Sequence, residues 1–100
     1  MIKIAVAEDE IEMSNQLLKY IKQFFDENDL DYSVMVFDNA IKLLDNYDFS
    51  FDLIFMDINM PLLNGVEASK KLREIDSEVT LIFITSLAQY AIKGYEVNAF

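Results

Sequence analysis

Cysteine and histidine are both missing from this 100-residue chain. Without cysteine there are no disulfides and no thiolate metal site, which fits a reducing compartment. Without histidine there is no imidazole base, and most zinc sites are excluded. Basic residues are scarce: 8 lysines and arginines face 18 acids, for a net charge of −10. Binding to a nucleic-acid backbone runs on Lys/Arg clusters, so direct contact with a phosphate backbone is not expected of these residues. No apolar run approaches the ~18 residues of a membrane span. The opening MIKIAVAEDE turns acidic too soon for a secretory signal. The expectation is a cytoplasmic protein. Glycine-rich phosphate loops of the GxGxxG and P-loop kinds are absent too.

What is present is apolar material in short pieces. Hydrophobic residues make up 53% of the chain and aromatics 13%, enough for the core of one small domain spanning 1–100. Ile2 to Ala7 form a nearly continuous apolar run that suits a strand covered on both faces. Leu17, Leu18, Ile21, Phe24 and Phe25 recur at helical spacing, and the helix should stop near Asn28. Tyr32 to Phe37 are β-branched and aromatic and predict a second strand. Asp38 is the expected cap of a short helix holding Ala40, Ile41, Leu43, Leu44 and Tyr47. Phe51 to Asp57 predict the third strand. A helix follows with Val66, Leu72 and Ile75 toward the core. Val79 to Ser86 predict the fourth strand. Ser86 and Gln89 have capping-box spacing, which predicts a further helix from Leu87. The order β-α-β-α-β-α-β-α implies a doubly wound parallel sheet with helices on both faces.

Polar groups end three of these strands. Strand one runs into Glu8 and Asp9, strand three into Asp57, and strand four into Thr85 and Ser86. Open α/β sheets bind ligands beyond the carboxyl ends of their strands. If strands one and three are neighbours, three carboxylates converge there. Such a group needs a cation or protons to be stable. Oxygen ligands alone favour Mg²⁺, Ca²⁺ or Mn²⁺. Taken singly, each residue has a plainer reading. Asp9 suits a helix cap, Asp57 a loop cap, Thr85 a strand position and Asn59 a turn. Glu10 and Glu12 suit solvated surface.

The segments AEDE, LIFMDINMPLLNG and IFITS together resemble the receiver domain of two-component response regulators. The resemblance covers the whole chain, and its Asp-x-x-Met-Pro-x-x-x-Gly segment is the most specific part. The late segment LAQYAIKGYEVNAF resembles receivers that precede a LytTR-type DNA-binding output domain. The resemblance implies a flavodoxin-like sheet of order 2-1-3-4-5. It implies that Asp57 is the phosphoacceptor, taking a phosphoryl group from a sensor histidine kinase. It implies Mg²⁺ held by Asp9, Asp57 and the backbone carbonyl of Asn59, with Glu8 helping through water. Thr85 would contact the phosphoryl group and act in the switch. Tyr90 and Tyr95 would lie in a region used for dimer or partner contacts. DNA would be reached only through an output domain outside these residues, and no membrane partner is implied.

In the family, a fifth strand ends in a lysine that pairs with the phosphoryl group, and a fifth helix follows. Both are expected to be missing here, and Lys93 is on the wrong element to replace that lysine. Leu81 to Thr85 would then form an open edge, which implies homodimers or higher association. Two other readings remain. One is an inert, truncated interaction module. The other is an aspartyl-phosphate phosphatase of the haloacid dehalogenase type, in which a second Asp stands where this chain has Asn59. The leading expectation is a signalling module and not an enzyme.

Overall fold

The computed structural model describes residues 1–60 and 62–84. Its elements are β1 (Ile2–Ala7), α1 (Ile11–Glu27), β2 (Tyr32–Phe37), α2 (Ala40–Asp45), β3 (Leu53–Asp57), α3 (Gly65–Ile75) and β4 (Thr80–Ile84). All pairings are parallel and the sheet order is β2-β1-β3-β4. This is the expected doubly wound flavodoxin-like sheet. β1 is inner and buried on both faces, which is why its sequence is apolar without alternation.

Strand alternation sorts the core into two layers. Ala5, Ala7, Ile54 and Met56 meet Ala40 and Leu43 of α2 and Ala68 and Leu72 of α3. Ile4 and Val6 face the other way and pack with Ile21 and Phe25 of α1, with Leu53 and Phe55 against them. α1 therefore covers one face of the sheet, and α2 and α3 cover the other.

Several details differ from the sequence expectations. The cap of α2 is Asn39, whose side chain accepts from the Lys42 N–H at 2.8 Å. Asp38 is one residue too early to reach that donor and instead pairs with Lys42 Nζ at 2.9 Å. Tyr47 lies beyond α2, and its hydroxyl donates to Asp76. Phe24 is 56% exposed and rests edge-on against Phe25, because only Ile21 and Phe25 of the pair's turn face the sheet. In α3 the buried residues are Gly65, Ala68 and Leu72. Val66 is half-buried, and Ile75, in the last turn, is 49% exposed beside a groove shared with Ile41 and Leu44 of α2. β3 starts at Leu53; just before it Asp52 bonds Lys3 twice, its carboxylate accepting from the Lys3 N–H at 2.9 Å and its own N–H donating to the Lys3 carbonyl at 2.8 Å.

β4 begins at Thr80 and is described to Ile84. The predicted helix from Leu87, together with Thr85, Tyr90, Lys93 and Tyr95, lies outside the described residues. Among the described residues β4 pairs only with β3, and no fifth strand is present. No described helix is long and apolar enough to cross a membrane.

Candidate functional site

Strand register brings the acids together. Ala7 of β1 sits beside Met56 of β3. One residue further along each chain, Glu8 and Asp57 become neighbours at the carboxyl end of the sheet. Glu8 continues the extended path, its N–H donating to the Phe37 carbonyl at 3.0 Å. Asp9 follows at the turn into α1 and is exposed. Carboxylate oxygens of Glu8, Asp9 and Asp57 lie within 4.8 Å of one another. Glu8 is only 4% exposed and Asp57 only 7%.

Two unit charges about 4 Å apart repel by about 4 kcal/mol at an effective dielectric near 20. Among the described residues no ion pair offsets this at the cluster. The two ion pairs among the described residues are Lys22–Asp26 on α1 and Lys42–Asp38 at α2. The charged forms of the two buried acids are therefore disfavoured. Burial, and then hydrogen bonding and repulsion with Asp57, pushes Glu8 up to about 8. Burial also raises Asp57, although hydrogen bonds from Glu8 and the Asn59 N–H work against the shift. The bonds that are made favour well-placed carboxylates. The Glu10 N–H donates to Glu8 Oε2 at 3.1 Å, and the Asn59 N–H donates to Asp57 Oδ1 at 3.2 Å.

A hard cation fits this arrangement. The donors are all oxygen, two are buried acids that resist ionisation alone, and the third faces solvent. One side left open to water and ligand is the usual partial protein ligation of Mg²⁺.

The segment after Asp57 shapes the rim. Leu62 has φ 70°, a left-handed conformation rare for a branched side chain, and is 83% exposed. Asn64 then caps α3, accepting from the Glu67 N–H at 2.9 Å. Gly65 opens the helix directly against the Asp57 backbone, with its N–H donating to the Ile58 carbonyl at 3.0 Å.

Of the residues singled out by sequence, Glu8, Asp9 and Asp57 are brought together, and Asn59 stands beside them in the loop. Sequence reasoning placed Gly65 only as the last residue of the Asp-x-x-Met-Pro-x-x-x-Gly segment and missed its contact. Its place at the start of a helix, eight residues past a strand-end acid, was the available signal.

A doubly wound parallel sheet with three acids at the carboxyl ends of its two inner strands is the architecture of a receiver. The chain matches the response regulator receiver domain over residues 4–100 and belongs to that family. The sensory transduction protein LytT of Oceanobacillus iheyensis is 35% identical over 101 residues, covering 98% of this chain and 39% of that protein. This chain thus spans about two-fifths of the length of such relatives. Among solved structures, the response regulator TrrA of Thermotoga maritima in complex with Mg(2+)-BeF superposes with a TM-score of 0.77 at 24% identity, covering 99% of this chain and 82% of that one. The same regulator in complex with the histidine kinase ThkA gives a TM-score of 0.70 at 25% identity, over 86% of this chain and 70% of that one.

Proposed function

We propose that this receiver domain accepts a phosphoryl group on Asp57 from a sensor histidine kinase and passes the change to a downstream, DNA-binding output. The observation that carries this reading is the meeting of Glu8, Asp9 and Asp57 within 4.8 Å at the sheet's carboxyl end. Asp57 is the buried strand-end member and the one whose sequence context matches the family segment. A Thermotoga relative captured with a histidine kinase supports the choice of partner. LytT- and LytR-type relatives, transcriptional regulators among them, support the choice of output.

In this reading Asp9, Asp57 and the Asn59 carbonyl would hold Mg²⁺, with Glu8 helping through water. An ion bound there would neutralise charge on the carboxylates and on the incoming phosphoryl oxygens. Asp57 is held by the rigid end of β3, with the Asn59 N–H fixing one of its oxygens. Its other oxygen forms a bond to phosphorus as the phosphorus–nitrogen bond to the donor histidine breaks. The site acts once per phosphorylation, as the recipient in a relay and not as a turnover enzyme. Thr85, one residue beyond β4, contacts the phosphoryl group in this reading and relays its presence. Cytoplasmic residence and association into dimers through the β4 side belong to the same proposal. The residues past Ile84 decide how far that side is open.

Incubating the 100-residue chain with acetyl phosphate and Mg²⁺, followed by intact-mass measurement, tests the proposal. One phosphoryl adduct is expected, lost in Asp57→Asn. Equal labelling of parent and Asp57→Asn refutes the assignment.

A further inference from the structure

A Cβ placed on Gly65 would lie 2.2 Å from the Asp57 carbonyl oxygen, and 2.9 Å from both the Asp57 carbonyl carbon and Ile58 Cα. All three neighbours are backbone atoms, so no side chain can swing aside to make room. Ordinary contact would require the strand end to retreat by roughly an ångström. The backbone conformation at Gly65 is helical, with no positive φ, so glycine is needed here for the approach alone. The contact is also tied by a hydrogen bond, the Gly65 N–H to the Ile58 carbonyl. On the far side, the Ile58 N–H donates to the Ile84 carbonyl of β4 at 3.2 Å. The peptide that leaves Asp57 is thus gripped between α3 and β4. The next residue, Asn59, bonds the Asp57 carboxylate.

We propose that Gly65 is a positioning residue for the acidic site: its bare Cα lets the first turn of α3 seat on the Asp57–Ile58 backbone and so sets where the Asp57 carboxylate and the Asn59 carbonyl stand. This rests on the phosphoacceptor reading of Asp57. A side chain at position 65 moves both groups relative to Glu8 and Asp9, which follow β1, Glu8 with its N–H tied to the Phe37 carbonyl at the end of β2. A misplacement of about 1 Å costs on the order of 10²-fold in a reaction that depends on alignment.

The test compares Gly65→Ala with Leu72→Ala. Leu72 is fully buried on the same helix, about two turns beyond Gly65, so its truncation weakens α3 and leaves the Gly65 approach to the Asp57 backbone in place. Mg²⁺ affinity is read by calorimetry well below the melting temperature, and phosphorylation by the rate of labelling with acetyl phosphate. Gly65→Ala is expected to weaken Mg²⁺ binding and to slow labelling about 10²-fold. Leu72→Ala should keep parental values for both. Parental affinity and rate in folded Gly65→Ala overturn the proposal. So does an equal loss in Leu72→Ala, since that is what mere destabilisation predicts.

Amide hydrogen exchange on the parent chain decides the matter without any variant. If the Gly65 clamp is needed for ion binding, Mg²⁺ at a hundred times its dissociation constant slows local opening of the Gly65 amide about 100-fold. An unchanged rate of local opening overturns the proposal. A parent chain that takes no label from acetyl phosphate refutes the phosphoacceptor reading itself, and this inference falls with it.

Discussion

Replacing Glu8 with glutamine should stabilise the ion-free chain at neutral pH, although it alters a buried group. Glu8 ionises ordinarily near 4.5 and is pushed up to about 8, first by burial and then by Asp57. Between those values the folded chain holds a proton that the unfolded chain has released. Stability from this group is therefore full below about pH 4.5 and drains away as pH rises toward about 8. At pH 7 the difference is worth about 3 kcal/mol, at 1.36 kcal/mol per pH unit. Glutamine has the shape of the protonated acid, can donate toward Asp57, and does not titrate. Glu8→Gln should match the parent near pH 4.5 and exceed it by up to about 3 kcal/mol at pH 7. For a domain of about 100 residues that is roughly 10–20 °C in melting temperature. A shallower slope should remain, because Asp57 is raised by the same burial. Urea unfolding in EDTA across pH 4.5–8 measures this directly. Parallel stability curves for parent and variant, with no gain at pH 7, would refute the claim that burial and Asp57 hold a proton on Glu8.

Three further predictions follow from the same geometry. Asp9→Ala should raise the Mg²⁺ dissociation constant at least about tenfold, or about 1.4 kcal/mol, with calorimetry as the readout; unchanged affinity removes Asp9 from the site. Ile54→Ala empties a fully buried position between β3 and the α2–α3 layer. It should cost about 2–5 kcal/mol in urea unfolding. Asn39→Ala should cost about 1 kcal/mol through the lost α2 cap, while Asp38→Ala, which removes only an exposed pair, should cost less. Equal losses in thermal melts would restore Asp38 as the cap.

Much of this molecule is legible along the chain because its signals are local. The unbroken run Ile2–Ala7, the helical spacing of Ile21 and Phe25, and the turn residues between elements each depend on near neighbours. The alternation of strands and helices then leaves few sheets to choose from. The acids at the ends of β1 and β3 were visible for the same reason, and so was the family segment around Asp57. Caps were harder, because Asp38 and Asn39 are equally good residue types and only backbone geometry selects the one that reaches the Lys42 N–H.

The site itself is a tertiary fact. Local patterns do not state that β1 lies between β2 and β3; only the family resemblance implied it, and that placement sets Glu8 and Asp9 beside Asp57, about fifty positions away along the chain. Burial of Glu8, and with it the retained proton, comes from packing no sequence window contains. Gly65 is the sharpest case. In sequence it closes the family segment with no stated role, and its need for a bare Cα exists only because α3 closes onto the Asp57 carbonyl.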